Sequence, residues 1–214
     1  MKRLAIATLV AAGGVLVWAT AGQGALVNIT VEDDEFVPGN ASFQFLETDN
    51  PNVVWDWGEL GSGTNRDHNV VQQRGMFRSG SPKDDGSYEL QASAGKYQYF
   101  CEVHRDDGMR AKVSIVPAID DITPDSGRVI WAFESTTTGK RFDVRYRVNG
   151  GDWALWKNGT KKFNATFGGP DDKPVAFETS TNTYEFSARS QKGKPSKRKR
   201  SGWSPPLSVG GPDR

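Results

Sequence analysis

The sequence predicts an all-β chain of two sandwich-like modules, on three observations. Short apolar or alternating runs are broken throughout by Gly, Pro, Asn and Asp turn signals, in a chain of 214 residues with 24 Gly, 11 Pro and seven Trp. No run of ordinary helical length stands outside the apolar N-terminus. The near-neutral total also conceals two halves of opposite sign. Residues 25–117 hold 15 acidic and 8 basic side chains, whereas residues 118–214 hold 11 acidic and 17 basic. Each half is long enough to bury a core.

Element by element, residues 1–24 predict a secretory signal: Lys2 and Arg3 lead, Leu4 to Val17 is apolar, and Ala19-Thr-Ala21 offers a small-residue cleavage site. An uncleaved membrane anchor is the competing reading. Ala25-Leu-Val-Asn-Ile-Thr-Val31 alternates as a strand should, Phe36-Val-Pro-Gly turns, and Ala41-Ser-Phe-Gln-Phe-Leu46 alternates again. After an Asp49-Asn-Pro51 turn comes Val53-Val-Trp-Asp-Trp57, then a Gly- and Asn-rich loop to His68-Asn-Val-Val71. Ser87-Tyr-Glu-Leu90, Gly95-Lys-Tyr-Gln-Tyr-Phe100 and Ala111-Lys-Val-Ser-Ile-Val116 complete a first sheet system. The acidic, proline-bounded stretch from Pro117 to Pro124 marks the module boundary, giving modules 25–117 and 118–214. In the second, Val129-Ile-Trp-Ala-Phe133, Arg141-Phe-Asp-Val-Arg-Tyr-Arg-Val148, Trp153-Ala-Leu-Trp156, Val175-Ala-Phe177 and Thr183-Tyr-Glu-Phe-Ser-Ala-Arg189 read as strands. Asn149-Gly150-Gly151 is a hairpin signal.

Chemistry concentrates in Tyr97-Gln-Tyr-Phe-Cys101-Glu-Val-His104-Arg-Asp-Asp-Gly-Met109. This segment holds the only cysteine and one of the two histidines; the other, His68, lies upstream. A lone cysteine in a secreted chain cannot form an internal disulfide, so it is a core thiol, an intermolecular partner or a ligand. Thiolate, imidazole and thioether are soft or borderline donors that suit copper far better than magnesium, calcium or manganese. Two histidines, one cysteine and a weak methionine are the ligand set of a type 1 (blue) copper electron-transfer site. His68, Cys101, His104 and Met109 are therefore the candidate metal ligands, for one copper per chain. Asn69, next to His68, could hold the two ligand loops together by hydrogen bonds. The competing reading is a buried inert thiol beside unrelated histidines. With both histidines committed, no trinuclear or type 2 copper centre can be built, and a Cys-His hydrolytic pair three residues apart on one loop has poor geometry. The expectation is a protein that is not an enzyme.

At these residues the chain resembles a known family. Asp34-Glu-Phe-Val-Pro38, Val54-Trp55, His68-Asn-Val70 and Tyr99-Phe-Cys-Glu-Val-His104-Arg-Asp-Asp-Gly-Met109 look like the plastocyanin/azurin branch of the cupredoxins. The resemblance implies a Greek-key β-sandwich over about residues 25–117, with the four ligands near one end and the edge of His104 as electron port. Arg105, Asp106 and Asp107 depart from it, placing three charges where relatives often carry small or apolar residues. In the second half, Val129-Ile-Trp131, Asp143-Val-Arg-Tyr-Arg147, Trp153, Thr183-Tyr-Glu-Phe-Ser-Ala-Arg189 and Ser201-Gly-Trp-Ser-Pro-Pro206 resemble a fibronectin type III domain, with Tyr184 as the corner tyrosine.

The functional expectation is one-electron transfer outside the cytoplasm, in the periplasm or at the cell surface, with unidentified redox proteins as partners. The alternatives are copper handling without a redox partner and a cell-surface binding scaffold. Gln191-Lys-Gly-Lys-Pro-Ser-Lys-Arg-Lys-Arg200 is the most basic stretch. The Lys192-to-Arg200 loop could hold an anionic cell-envelope polymer, dock on the acidic first module, or stay a solvated loop. Nucleic acid fits a secreted chain poorly, and no stable membrane insertion is expected after signal cleavage. Four Asn-x-Ser/Thr sequons (Asn28, Asn40, Asn158, Asn164) matter only in a glycosylating host.

Overall fold

The computed structural model describes residues 26–32, 35–44, 52–58, 67–168 and 176–211. The predicted signal, the Asp49–Pro51 turn and most of the Gly- and Asn-rich loop before His68 lie outside the described residues. The chain is all-β. Its first eight strands are β1 (Leu26–Val31), β2 (Phe36–Val37), β3 (Asn40–Gln44), β4 (Asn52–Trp57), β5 (Val71–Gln72), β6 (Gly86–Gln91), β7 (Gly95–Phe100) and β8 (Arg110–Val116). They form two four-stranded sheets, ordered β2-β1-β4-β6 and β3-β8-β7-β5. The pairs β1–β4 and β3–β8 are parallel and the others antiparallel. Alternation in β1 buries Val27, Ile29 and Val31 while Asn28 and Thr30 face water. Trp55 and Trp57 of β4 are buried, Trp55 against Phe77, Tyr88 and Tyr99. Trp55 stands edge-on to Tyr99 with centroids 5.2 Å apart, and Phe36 does the same at 4.8 Å. This aromatic plug fills the sandwich beneath the end of β7.

The remaining strands are β9 (Ala118–Asp120), β10 (Ser126–Ile130), β11 (Arg141–Val148), β12 (Ala154–Thr160), β13 (Asn164–Gly168), β14 (Thr183–Lys192), β15 (Lys199–Arg200) and β16 (Leu207–Gly210). They form a sheet β13-β10-β9 and a sheet β12-β11-β14, with β15 and β16 both paired to β14. The Asn149-Gly150 signal is realised as the β11–β12 turn. Both residues take positive φ (50° and 72°), and the Gly151 N–H donates to the Val148 carbonyl (2.9 Å), so the pair forms a tight turn at the start of the longer connection to Ala154. Phe142, Val144 and Tyr146 face the core, against Phe167, Tyr184 and Phe186.

Three local expectations change. The stretch around Ala176 and Phe177 is not a strand. The Tyr184 hydroxyl donates to the Ala176 carbonyl (2.5 Å) and accepts the Glu178 N–H (2.9 Å), so this backbone bonds a side chain instead of a neighbouring strand. Asn164–Gly168, which carries no strand signal in the sequence, is a full strand paired along β10. The basic Lys192-to-Arg200 stretch is a short hairpin: β14 runs to Lys192, a 3₁₀ turn covers Pro195–Lys197, and β15 pairs back.

The two pairs of sheets meet along the root of β7. The backbone of Lys96 exchanges hydrogen bonds with Gly202 (3.0 and 2.8 Å), and the Ala94 N–H donates to the Trp131 carbonyl (2.7 Å). Beside them lies a buried hydroxyl network. The Tyr97 hydroxyl stands 2.8 Å from Ser93 Oγ and 3.0 Å from Ser190 Oγ, and Thr138 Oγ1 is 2.9 Å from Ser93 Oγ. A buried polar cluster of this kind holds only because its members satisfy one another. From the basic hairpin, Lys192 Nζ donates to the Met76 carbonyl (2.8 Å) and Lys199 Nζ to the Gly75 carbonyl (3.0 Å).

Candidate metal centre

Strand β7 delivers Cys101 to the end of the sandwich, and β8 begins one residue after Met109. The loop between them is closed by its own backbone. The Cys101 N–H donates to the Met109 carbonyl (3.2 Å), and the Met109 N–H donates to the His104 carbonyl (3.1 Å). Gly108 has φ +95°, a left-handed conformation that favours glycine; a Cβ there would meet nothing within 4 Å, so the demand is conformational. His68 comes from a separate segment held by a two-way backbone bridge to Lys83 (2.8 and 3.1 Å).

Three of the four predicted ligands converge. Cys101 Sγ lies 3.6 Å from His104 Nδ1 and 3.8 Å from His68 Nδ1, and the three donor atoms fall within 4.8 Å of one another. The imidazole centroids are 4.8 Å apart, with the rings inclined at 50°. A metal ion bonded at about 2.0 Å to nitrogen and about 2.3 Å to sulfur, with the bonds about 120° apart, sets sulfur and nitrogen about 3.7 Å apart. Both sulfur–nitrogen separations lie close to that value, so the group could hold a metal ion. His68 and Cys101 are fully buried and His104 is 8 % exposed. Met109 is also buried, and its main chain bonds both Cys101 and His104 at the base of the same loop.

Asn69 ties the two ligand segments together. Its Nδ2 donates to Glu102 Oε2 (2.7 Å) and to the Gly80 carbonyl (3.0 Å), and its Oδ1 accepts the Glu102 N–H (2.9 Å). Glu102 in turn accepts from Arg78 Nη2 at 2.5 Å. The loop carrying Cys101 and the segment carrying His68 are thus joined by an Arg78–Glu102–Asn69 chain of hydrogen bonds. The sequence singled out Asn69 but not Glu102 or Arg78. Glu102, adjoining Cys101, was within reach of the same reasoning, whereas Arg78 gave no signal.

Charges near the loop are disposed unevenly. Arg105 stacks over the Phe100 ring, its guanidinium carbon 4.8 Å from the centroid. Arg110 donates from Nε (3.3 Å) and Nη2 (3.2 Å) to the Arg105 carbonyl. Beneath the loop, burial raises the Tyr97 and Tyr99 phenols above their ordinary pKa, keeping both neutral.

No family model matches the chain, and no curated protein does. Among solved structures it is similar to a pseudoazurin from Sinorhizobium, with 16 % identity, covering 42 % of this chain and 72 % of that one at a TM-score of 0.29. It is also similar to a segment of two fibronectin type III domains from chicken tenascin, with 20 % identity, covering 69 % and 84 % of the respective chains at a TM-score of 0.29. Neither overlap is close enough to assign the chain to a family.

Proposed function

We propose that this chain is an extracytoplasmic one-electron carrier, a cupredoxin-like module with a single type 1 copper held by His68, Cys101, His104 and Met109, followed by a fibronectin type III-like module. One observation carries the proposal: the buried His68–Cys101–His104 group with sulfur–nitrogen separations of 3.6 and 3.8 Å. Copper, when bound, supplies the Cu(I)/Cu(II) couple. The soft thiolate with two imidazoles and a thioether favours that metal over hard cations. The chain's own part is to keep the donors still. The closed Cys101–Met109 loop and the Asn69–Glu102–Arg78 tie hold the donor atoms at one spacing, so the site needs little rearrangement between oxidation states. Burial of Cys101 and His68 keeps water from their donor atoms. His104 is the most exposed of the four, and Val103 beside it is 52 % exposed. Together they offer a redox partner a small apolar landing point at the ligand edge. Both histidines and the only thiol are used here, which leaves none for a second copper centre.

The test is to add one equivalent of Cu(II) to the purified protein and record its visible spectrum. The expected result is an intense thiolate-to-copper band that bleaches reversibly with a one-electron reductant and is absent in Cys101→Ser. A colourless protein, or colour surviving that substitution, would overturn the copper assignment. A band that cannot be reversibly bleached would leave a copper-holding protein without the carrier role.

A further inference from the structure

The outer face of the β3-β8-β7-β5 sheet contains a cavity of about 290 Å³ beside the ligand loop. Register builds it: Phe100 of β7 pairs with Arg110 of β8, Gln98 with Lys112, and Lys112 with Asn40 of β3. Alternation then turns Gln98, Phe100, Arg110 and Lys112 to the same outward side. Arg105 reaches in from the ligand loop, and Gln73 closes the wall beyond β5.

The lining holds three cations and no carboxylate. Asp106 and Asp107, next in the loop after Arg105, do not line it. Among the described residues, none of Arg105, Arg110 and Lys112 forms a salt bridge. This occurs in the half of the chain with net charge −7, where acidic partners are plentiful. The two guanidiniums are also held in place, Arg105 on the Phe100 ring and Arg110 against the Arg105 carbonyl. Arg110 spends two of its five N–H donors on that carbonyl, and Arg105 makes no hydrogen bond from its side chain to any described residue. Arginine forks match the planar or tetrahedral oxygens of an oxyanion, and fixed forks lose little freedom on binding one. The neutral amides of Gln73, Gln98 and Asn40 add donors that can orient such a group without changing the charge.

We propose that this cavity is an oxyanion site, taking a carboxylate or phosphate group on Arg105, Arg110 and Lys112. The proposal stands whether or not His68, Cys101 and His104 hold copper. Because Arg105 directly follows His104, an anion bound there lies against the ligand loop.

The experiment uses the full chain, with inorganic phosphate and glutarate titrated separately at constant ionic strength. Binding is followed by the ¹⁵N resonances of the arginine Nε–H groups and, in every variant, by the backbone amides of residues 98–112. Saturable shifts of the Arg105 and Arg110 resonances are expected with at least one probe, at a Kd on the order of 1 mM. The double variant Arg105→Gln/Arg110→Gln weakens binding about tenfold or more, while Lys161→Gln, exposed and outside the cavity, leaves it within about twofold. All three positions are exposed, and circular dichroism checks that the variants fold. Saturation by phosphate identifies a phosphate-type ligand and saturation by glutarate alone a carboxylate; either supports the site. Shifts that stay linear with both probes, or an equal loss in Lys161→Gln, would mean general screening and overturn it.

Discussion

Replacing Asn69 by alanine tests whether the two ligand segments are held by the hydrogen bonds between them. The side chain is fully buried and takes part in three hydrogen bonds, to the Gly80 carbonyl, the Glu102 carboxylate and the Glu102 N–H. Two of these are neutral, at about 1 kcal/mol each, and the third has a charged acceptor, at about 1.5–3 kcal/mol. Glu102 is 35 % exposed and keeps its bond to Arg78, so the charged bond counts at the low end. The sum is a loss of about 3.5 kcal/mol in the metal-free protein, read as a lowered urea midpoint. Because the same bonds orient the loops around His68 and Cys101, metal affinity should also fall about 10- to 100-fold in a competition titration. Asn69→Asp sets a second carboxylate against Glu102 and should be at least as damaging. A loss under about 0.5 kcal/mol with unchanged affinity would refute the argument, placing the rigidity of the site in the backbone alone.

Tyr184→Phe removes a hydroxyl that serves both Ala176 and Glu178, and should cost about 2 kcal/mol in urea unfolding; a neutral result would show that those backbone groups find water instead. Gly108→Ala forces a Cβ onto φ +95° and should cost about 1–2 kcal/mol, with a shift in the His104 ring resonances; no cost would mean that the loop relaxes freely. Stability should also fall in alkali. Burial raises the Tyr97 and Tyr99 pKa values in the folded chain, so above about pH 10 the unfolded chain loses these protons while the folded chain keeps them. Each phenol then removes about 1.4 kcal/mol per pH unit as pH rises toward its folded value. Tyr99→Phe should flatten the fall between about pH 10 and pH 11, and an unchanged slope would contradict the attribution.

The candidate loop stood out in the sequence because its chemistry is local. Cys101, His104 and Met109 lie within nine residues, and the only other histidine had no competing role. Strand positions followed from alternation, as in β1 and β11. Strand partners did not, since a period of two specifies a face but not a neighbour. The parallel pairings β1–β4 and β3–β8 were therefore invisible. The same limit hid Arg78 from Glu102, 24 residues away, and hid the gathering of Arg105, Arg110 and Lys112, which arises from cross-strand register. Ala176 and Phe177 misled because apolar, β-prone residues suggest a strand, and the sequence does not say which backbone the corner tyrosine Tyr184 claims. The Ser93, Thr138, Ser190 and Ser201 hydroxyls gave no signal in the sequence, and only tertiary packing gathers them around Tyr97.

Strand β7 works as a beam with two loads. At one end Cys101 enters the candidate centre; at the other, Lys96 and Tyr97 are gripped by Gly202 and Ser190 of the second pair of sheets. The five steps from Lys96 to Cys101 span only about 17 Å. The appended half therefore acts as a clamp on the root of the strand that presents the thiol. Filling the centre should slow hydrogen exchange at Ala94, Lys96 and Gly202, and loosening the clamp should let the thiol wander. The second half then supports the candidate centre without supplying a donor atom to it, by stiffening the mount.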